Sequence, residues 1–175
     1  IPFKLEFLCM NPGYAEENWN QIQKNAEILQ LPLRTFQTRI FEVVNKQERH
    51  PCYLCARMRR GHLYEAAKNL GCNKIALGHH FDDVIETILM GMLYGSQTQT
   101  MMPKLHSANF SGMELIRPLY FMREADVIQW AEFHHLKFIQ CACRMTEKTA
   151  ESLDGIGPSK RQEVKRLIAA LKKDN

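Results

Sequence analysis

The chain has 175 residues, 45% hydrophobic and 24% charged, which suits one compact α/β folding unit and leaves little room for a second. There is no run of about 18 apolar residues, and Ile1-Pro2-Phe3-Lys4 lacks the charged, apolar and cleavage regions of a signal peptide, so a cytoplasmic protein with no membrane partner is expected. The net charge of +4 is localised: Lys160, Arg161, Lys165, Arg166, Lys172 and Lys173 face only Glu163 and Asp174 in 158–175, and the remaining residues balance at 17 of each sign.

In chain order, Phe3 to Met10 reads as a strand entering a buried sheet, ended by Asn11-Pro12-Gly13. Trp19, Ile22, Ala26 and Leu29 recur at helical spacing up to Leu31-Pro32, and a second extended run follows from Leu33 to Ile40. A helix is expected from about Ala56 to Leu70 with Gly71 as its stop, then a short strand at Lys74–Gly78. Asp82-Asp83 opens a helix with Ile85, Ile88, Leu89 and Met92 on one side. Gly95 to Gly112 is polar and reads as a long functional loop containing Met102-Pro103-Lys104-Leu105. A strand at 115–119, a helix from about Arg123 to His135, a short strand at 137–140 and a basic helix from about Pro158 complete the chain. The alternation predicts an α/β fold with a doubly wound, mostly parallel sheet and helices on both faces. Ligands in such sheets sit at the carboxyl ends of strands, which here means Cys9, Met10 and Asn11, and the stretch from Gly78 to Asp83.

Two sets of residues carry chemistry. In Gly78-His79-His80-Phe81-Asp82-Asp83 a glycine permits close approach, a helix N-terminus favours an anion, and paired carboxylates can hold the magnesium that accompanies a nucleotide. The same carboxylates would also arise simply as complements to the helix dipole. Cys52 and Cys55, spaced as on a turn, and the downstream Cys141 and Cys143 can ligate one metal centre, as a closed zinc site with four thiolates or an iron-sulfur cluster with three; unligated thiols are the alternative. Cys9 and Cys72 have no partner in sequence and read as core residues. Arg57, Arg59 and Arg60, and the basic tail, are read either as solvated helix faces or as contacts to nucleic acid phosphate.

With these residues in view, the chain resembles the tRNA 2-thiocytidine synthetases, a branch of the PP-loop ATP pyrophosphatases that is also similar to tRNA-Ile lysidine synthetase and the tRNA 2-thiouridine synthetases. The resemblance runs from Phe3 to Cys143 and is carried by Pro-Cys-Tyr-Leu-Cys-Ala-Arg-Met-Arg-Arg-Gly at 51–61, Leu-Gly-His-His-Phe-Asp-Asp at 77–83, Met-Pro-Lys-Leu at 102–105 and Ile-Arg-Pro-Leu at 116–119. It implies a Rossmann-like adenine nucleotide hydrolase fold over 1–157, followed by the basic helix 158–175. The implied reaction is adenylation of a base carbonyl by ATP, loss of pyrophosphate and displacement of AMP by sulfur. The resemblance further implies that Cys52, Cys55 and one of Cys141 or Cys143 hold a 4Fe-4S cluster. Asp82 and Asp83 would serve magnesium, ATP or the activated base, with Gly78 and His79 in the same nucleotide-binding turn, and Cys9, Met10 and Asn11 would line adenine and ribose. The implied partners are tRNA, ATP and a sulfur donor; a homodimer is admitted. A nucleotide- or RNA-binding module with a structural zinc and no turnover, and another PP-loop chemistry, are the competing readings.

The sequence departs from the family in two places. The family's Ser-Gly-Gly-Lys-Asp-Ser phosphate loop does not occur in these residues and is expected to precede Ile1. The downstream pair is Cys-Ala-Cys, where the family more often spaces these cysteines by two residues, so both are kept as candidates.

Overall fold

The computed structural model describes residues 2–47, 51–98, 100–138 and 160–172, with Pro51 and Cys52 described by backbone alone. The chain forms two compact units, one built from Ile1–Asn73 with the stretch from Trp130 onward, the other from Lys74–Gln129 with the C-terminal helix.

In the first unit, strand β1 (Phe7–Asn11) pairs in parallel with β2 (Leu33–Gln37), in register from Phe7 opposite Leu33 to Asn11 opposite Gln37. They are joined by helix α1 (Glu16–Ile28), whose first turn carries Glu16 and Glu17 against the positive end of the helix dipole. The helix stops where Gln30 turns left-handed at φ 51°, with the Leu31 N–H donating to the Ala26 carbonyl and the Gln30 N–H to Glu27, the paired closing bonds of a Schellman end. The second extended run is shorter than expected, because Ile40 begins a five-residue helix, α2 (Ile40–Val44). Ile40 and Val44, one helical turn apart, are buried to 0% and 2% exposure against Met10. Helix α3 (Pro51–Asn69) starts five residues before the expected Ala56, and Pro51 suits a first helical turn because its fixed φ is already helical. Gly71, at φ 74°, closes it as expected.

In the second unit, β3 (Lys74–Ala76) lies parallel to β5 (Glu114–Ile116), and β4 (Lys104–His106) lies antiparallel on the other edge of β5. The stretch read as one long loop therefore contains a strand. All three residues of β4 are exposed, so no apolar alternation marks it. Helix α4 (Phe81–Gly95) follows β3, α5 (Glu124–Phe133) follows β5 and begins in this unit, and α6 (Lys160–Leu171) packs on α4. The residues of α4 that are buried are Val84, Glu86 and Gly91, whereas Met92 of the expected apolar side is 56% exposed. Lys137 and Phe138 form no strand, and the rest of that expected strand lies outside the described residues. No helix among the described residues is long and apolar enough to cross a membrane.

Candidate functional site

The residues singled out from the sequence fall into two groups, one in each unit. In the first unit, Cys9, Met10 and Asn11 end β1. Cys9 is half-buried, and burial pushes its thiol up while the nearby Arg59 guanidinium pulls the other way. Met10 is 4% exposed and belongs to the core with Ile40 and Val44, so its side chain faces inward. Asn11 Oδ1 accepts the N–H groups of Gly13 at 3.0 Å and Tyr14 at 2.8 Å, which turns the chain away from the strand. Tyr14 accepts at its hydroxyl a 2.7 Å hydrogen bond from Arg59 Nη2, and the guanidinium also lies 5.9 Å from its ring.

Cys55 packs against the Met10 core from α3. Cys52 lies on the same helix rather than on a turn, and a spacing of three residues puts both positions on one helical face. Cys141 and Cys143 lie outside the described residues, as does the side chain of Cys52. Among the described residues no three His, Cys, Asp or Glu side chains form a metal-binding group. Cys9 and Cys72, read as core, are both only half-buried.

In the second unit, Gly78, His79, His80, Asp82 and Asp83 come together where β3 hands over to α4. His80 is the N-cap in extended conformation, and its N–H donates to Asp83 Oδ2 at 3.1 Å, so Asp83 satisfies one of the helix's unpaired donors. His80 Nε2 lies 3.5 Å from the same oxygen. Asp82 Oδ2 accepts the backbone N–H of Glu124 at 2.7 Å and so caps the start of α5. That hydrogen bond, helped by Lys172, holds the Asp82 carboxyl below the usual aspartate value despite partial burial. Burial, reinforced by the Arg117 charge, pushes His79 toward its neutral form. The Nδ1 atoms of His79 and His80 are buried without a hydrogen-bond partner among the described residues.

The basic helix is turned toward these acids, an arrangement that neither reading of the tail anticipated. Lys172 Nζ lies 3.4 Å from Asp82 Oδ1, and Arg161 Nη1 lies 3.6 Å from Asp83 Oδ1. Arg161 Nε lies 3.2 Å from Oε2 of Glu86 without the alignment of a hydrogen bond, so this contact is a charge pair. Lys165 reaches Glu86 Oε1 at 3.5 Å and Glu124 Oε1 at 2.9 Å, and the bond to Glu124 holds its ammonium more firmly protonated. Asp82, Glu86, Glu124, Lys165, Ile168, Ala169 and Lys172 line a cavity of about 190 Å³. Glu86 lies outside the residues that the sequence singles out. Its signal was available, since an acid three and four residues after Asp83 and Asp82 shares their helical face.

Parallel strands joined through helices, with polar side chains gathered at the strand ends, define the class: an α/β protein whose candidate ligand site lies at the carboxyl ends of its strands. Residues 12–148 match the family model described as the PP-loop domain, and the chain belongs to that family. A tRNA-cytidine(32) 2-sulfurtransferase of Anaeromyxobacter dehalogenans is 35% identical over 175 residues, covering 98% of this chain and 57% of the relative. One from Syntrophotalea carbinolica is 41% identical over 123 residues, 70% of this chain and 44% of the relative. One from Neisseria meningitidis serogroup C is 36% identical over 148 residues, 80% and 45% respectively. The chain thus spans about half the length of the curated relatives it matches. Among solved structures, the U34-tRNA thiolase NcsA from Methanococcus maripaludis with its 4Fe-4S cluster superposes with a TM-score of 0.69 at 22% identity, covering 96% of this chain and 55% of that one. This likeness shows the fold, the Rossmann-like α/β architecture expected from the sequence.

Proposed function

We propose that this chain belongs to an ATP-dependent tRNA thiolase of the 2-thiocytidine type. The observation that carries this reading is the 35% identity to a tRNA-cytidine(32) 2-sulfurtransferase over 98% of the chain. In this reading the base carbonyl oxygen attacks the α-phosphorus of ATP, pyrophosphate leaves, and a sulfur species then displaces AMP at the activated carbon. The substrates are tRNA, ATP and a sulfur donor, in a cytoplasmic enzyme; a homodimer fits the same reading.

The residues suit the groups this chemistry needs. Asp82 and Asp83 each have one oxygen taken by a backbone N–H, while the other faces a cation, Lys172 or Arg161. Hard carboxylate oxygens are the donors that magnesium takes, and the metal would have to displace Lys172 and Arg161 from them. The orphaned Nδ1 atoms of His79 and His80 offer polar contacts to a nucleotide beside Gly78. Cys9, at the end of β1, supplies a half-buried thiol to an adenine-lining surface, and Asn11 supports that surface by fixing the turn after Met10. The thiolate set Cys52 and Cys55, with Cys141 or Cys143, suits a 4Fe-4S cluster in donor chemistry. When bound, such a cluster supplies an iron site at which sulfide can be delivered.

The test is anaerobic reconstitution with iron and sulfide, followed by a search for 2-thiocytidine in hydrolysed tRNA by mass spectrometry. The expected result is a brown protein whose iron is lost in Cys55→Ser, together with ATP-dependent 2-thiocytidine when the family's phosphate loop is supplied with the chain. A colourless protein holding one zinc, with no thiolated nucleoside, would overturn the proposal in favour of a binding module.

A further inference from the structure

Glu86 is 2% exposed, and a carboxylate taken that far out of water is strongly destabilising unless opposite charge accompanies it. Its compensating cations, Arg161 and Lys165, both come from α6 and are 47% and 45% exposed, so the pairs are reached from the surface while the acid is not. Arg161 also touches Asp83, Lys165 also touches Glu124, and the backbone N–H of Glu124 holds Asp82, which Lys172 meets from the other side. The contacts form one connected series running Asp83, Arg161, Glu86, Lys165, Glu124, Asp82 and Lys172. Glu86 is its buried centre, and Val164 of α6, at 1% exposure, supplies the apolar contribution to the packing of that helix.

We propose that Glu86 is a positioning residue: through Arg161 and Lys165 it docks α6 on α4, and the docked helix fixes the carboxylates of Asp82 and Asp83. The inference deepens the functional reading, on which it rests for the role of the two aspartates. Its test needs no catalysis, so its failure and the failure of that reading are separable.

Two backbone amides report the aspartates directly: the Glu124 N–H donates to Asp82 and the His80 N–H to Asp83. Amide hydrogen exchange, followed by NMR on the whole chain, should show both amides and those of α6 exchanging about tenfold faster in Glu86→Gln, which keeps the shape but removes the charge. Glu86→Asp, which keeps the charge, should recover much of the protection. Arg161→Gln approaches the same contact from the exposed side and should speed the same two amides, so the question is decided even if the buried variant folds poorly. If both neutral variants leave the His80 and Glu124 amides at wild-type rates, or speed the β3 and β5 amides equally, Glu86 does not position the aspartates.

Discussion

Asp82 is a residue with two duties, capping α5 through one oxygen and meeting Lys172 through the other. Losing a helix cap typically removes about 1 kcal/mol, so Asp82→Ala should lower the unfolding free energy near neutral pH by about that much, read from denaturant titrations. Because its folded carboxyl is held below the ordinary aspartate value of 3.8, its contribution is complete above that value and is lost as pH falls through the lower, folded one. The gap between variant and wild type should therefore narrow in acid. A gap that stays constant across that range would show that the carboxylate charge contributes nothing. Asp82→Asn, which keeps an acceptor for the Glu124 N–H, should lose less.

At the scale of elements, the three-stranded sheet is tied across both edges of its central strand by Glu114, which pairs with Lys74 of β3 and, at 2.7 Å, with Lys104 of β4. Its hydrogen bonds, Lys104 first and then Lys74, pull its carboxyl down to about 2. The sign follows from the depressed value: the stabilisation is present above 4.5 and disappears as pH falls toward about 2. Glu114→Gln should melt lower than wild type near neutral pH, with the difference vanishing at the acid end; equal melting temperatures at neutral pH would rule out the tie. This sheet also shows what could be read from the sequence. β3 and β5 were legible as apolar runs and Gly71 as a stop, because those signals are local. β4 and α2 were not, because a three-residue exposed strand and a five-residue helix are too short to show a period. The pair Asp82-Asp83 was visible as chemistry at a strand end. The partners of Glu86 lie far along the chain, and no spacing rule connects them.

At the scale of the whole molecule, surplus positive charge need not mark where an anion binds. Arg161, Lys165 and Lys172 are spent on internal acids, whereas Arg57 and Arg60 are exposed and have no ion pair among the described residues. If tRNA is the substrate, Arg57→Gln with Arg60→Gln should reduce the salt slope of its binding by about 0.7–0.9 per lost phosphate contact. Lys165→Gln with Lys172→Gln should leave that slope unchanged. A titration at three salt concentrations separates the two, and a slope that responds only to the tail would reverse the assignment. The internal use of the tail also sets a timetable during synthesis. Lys172 follows Asp82 by 90 residues, an interval of roughly 5–20 seconds at ordinary elongation rates. For most of that interval α4 is already made while Arg161 and Lys165, the countercharges for Glu86, are still untranslated, so the second unit closes only after α6 has been made, and a nascent chain paused before then presents its acidic helix to the solvent and to chaperones.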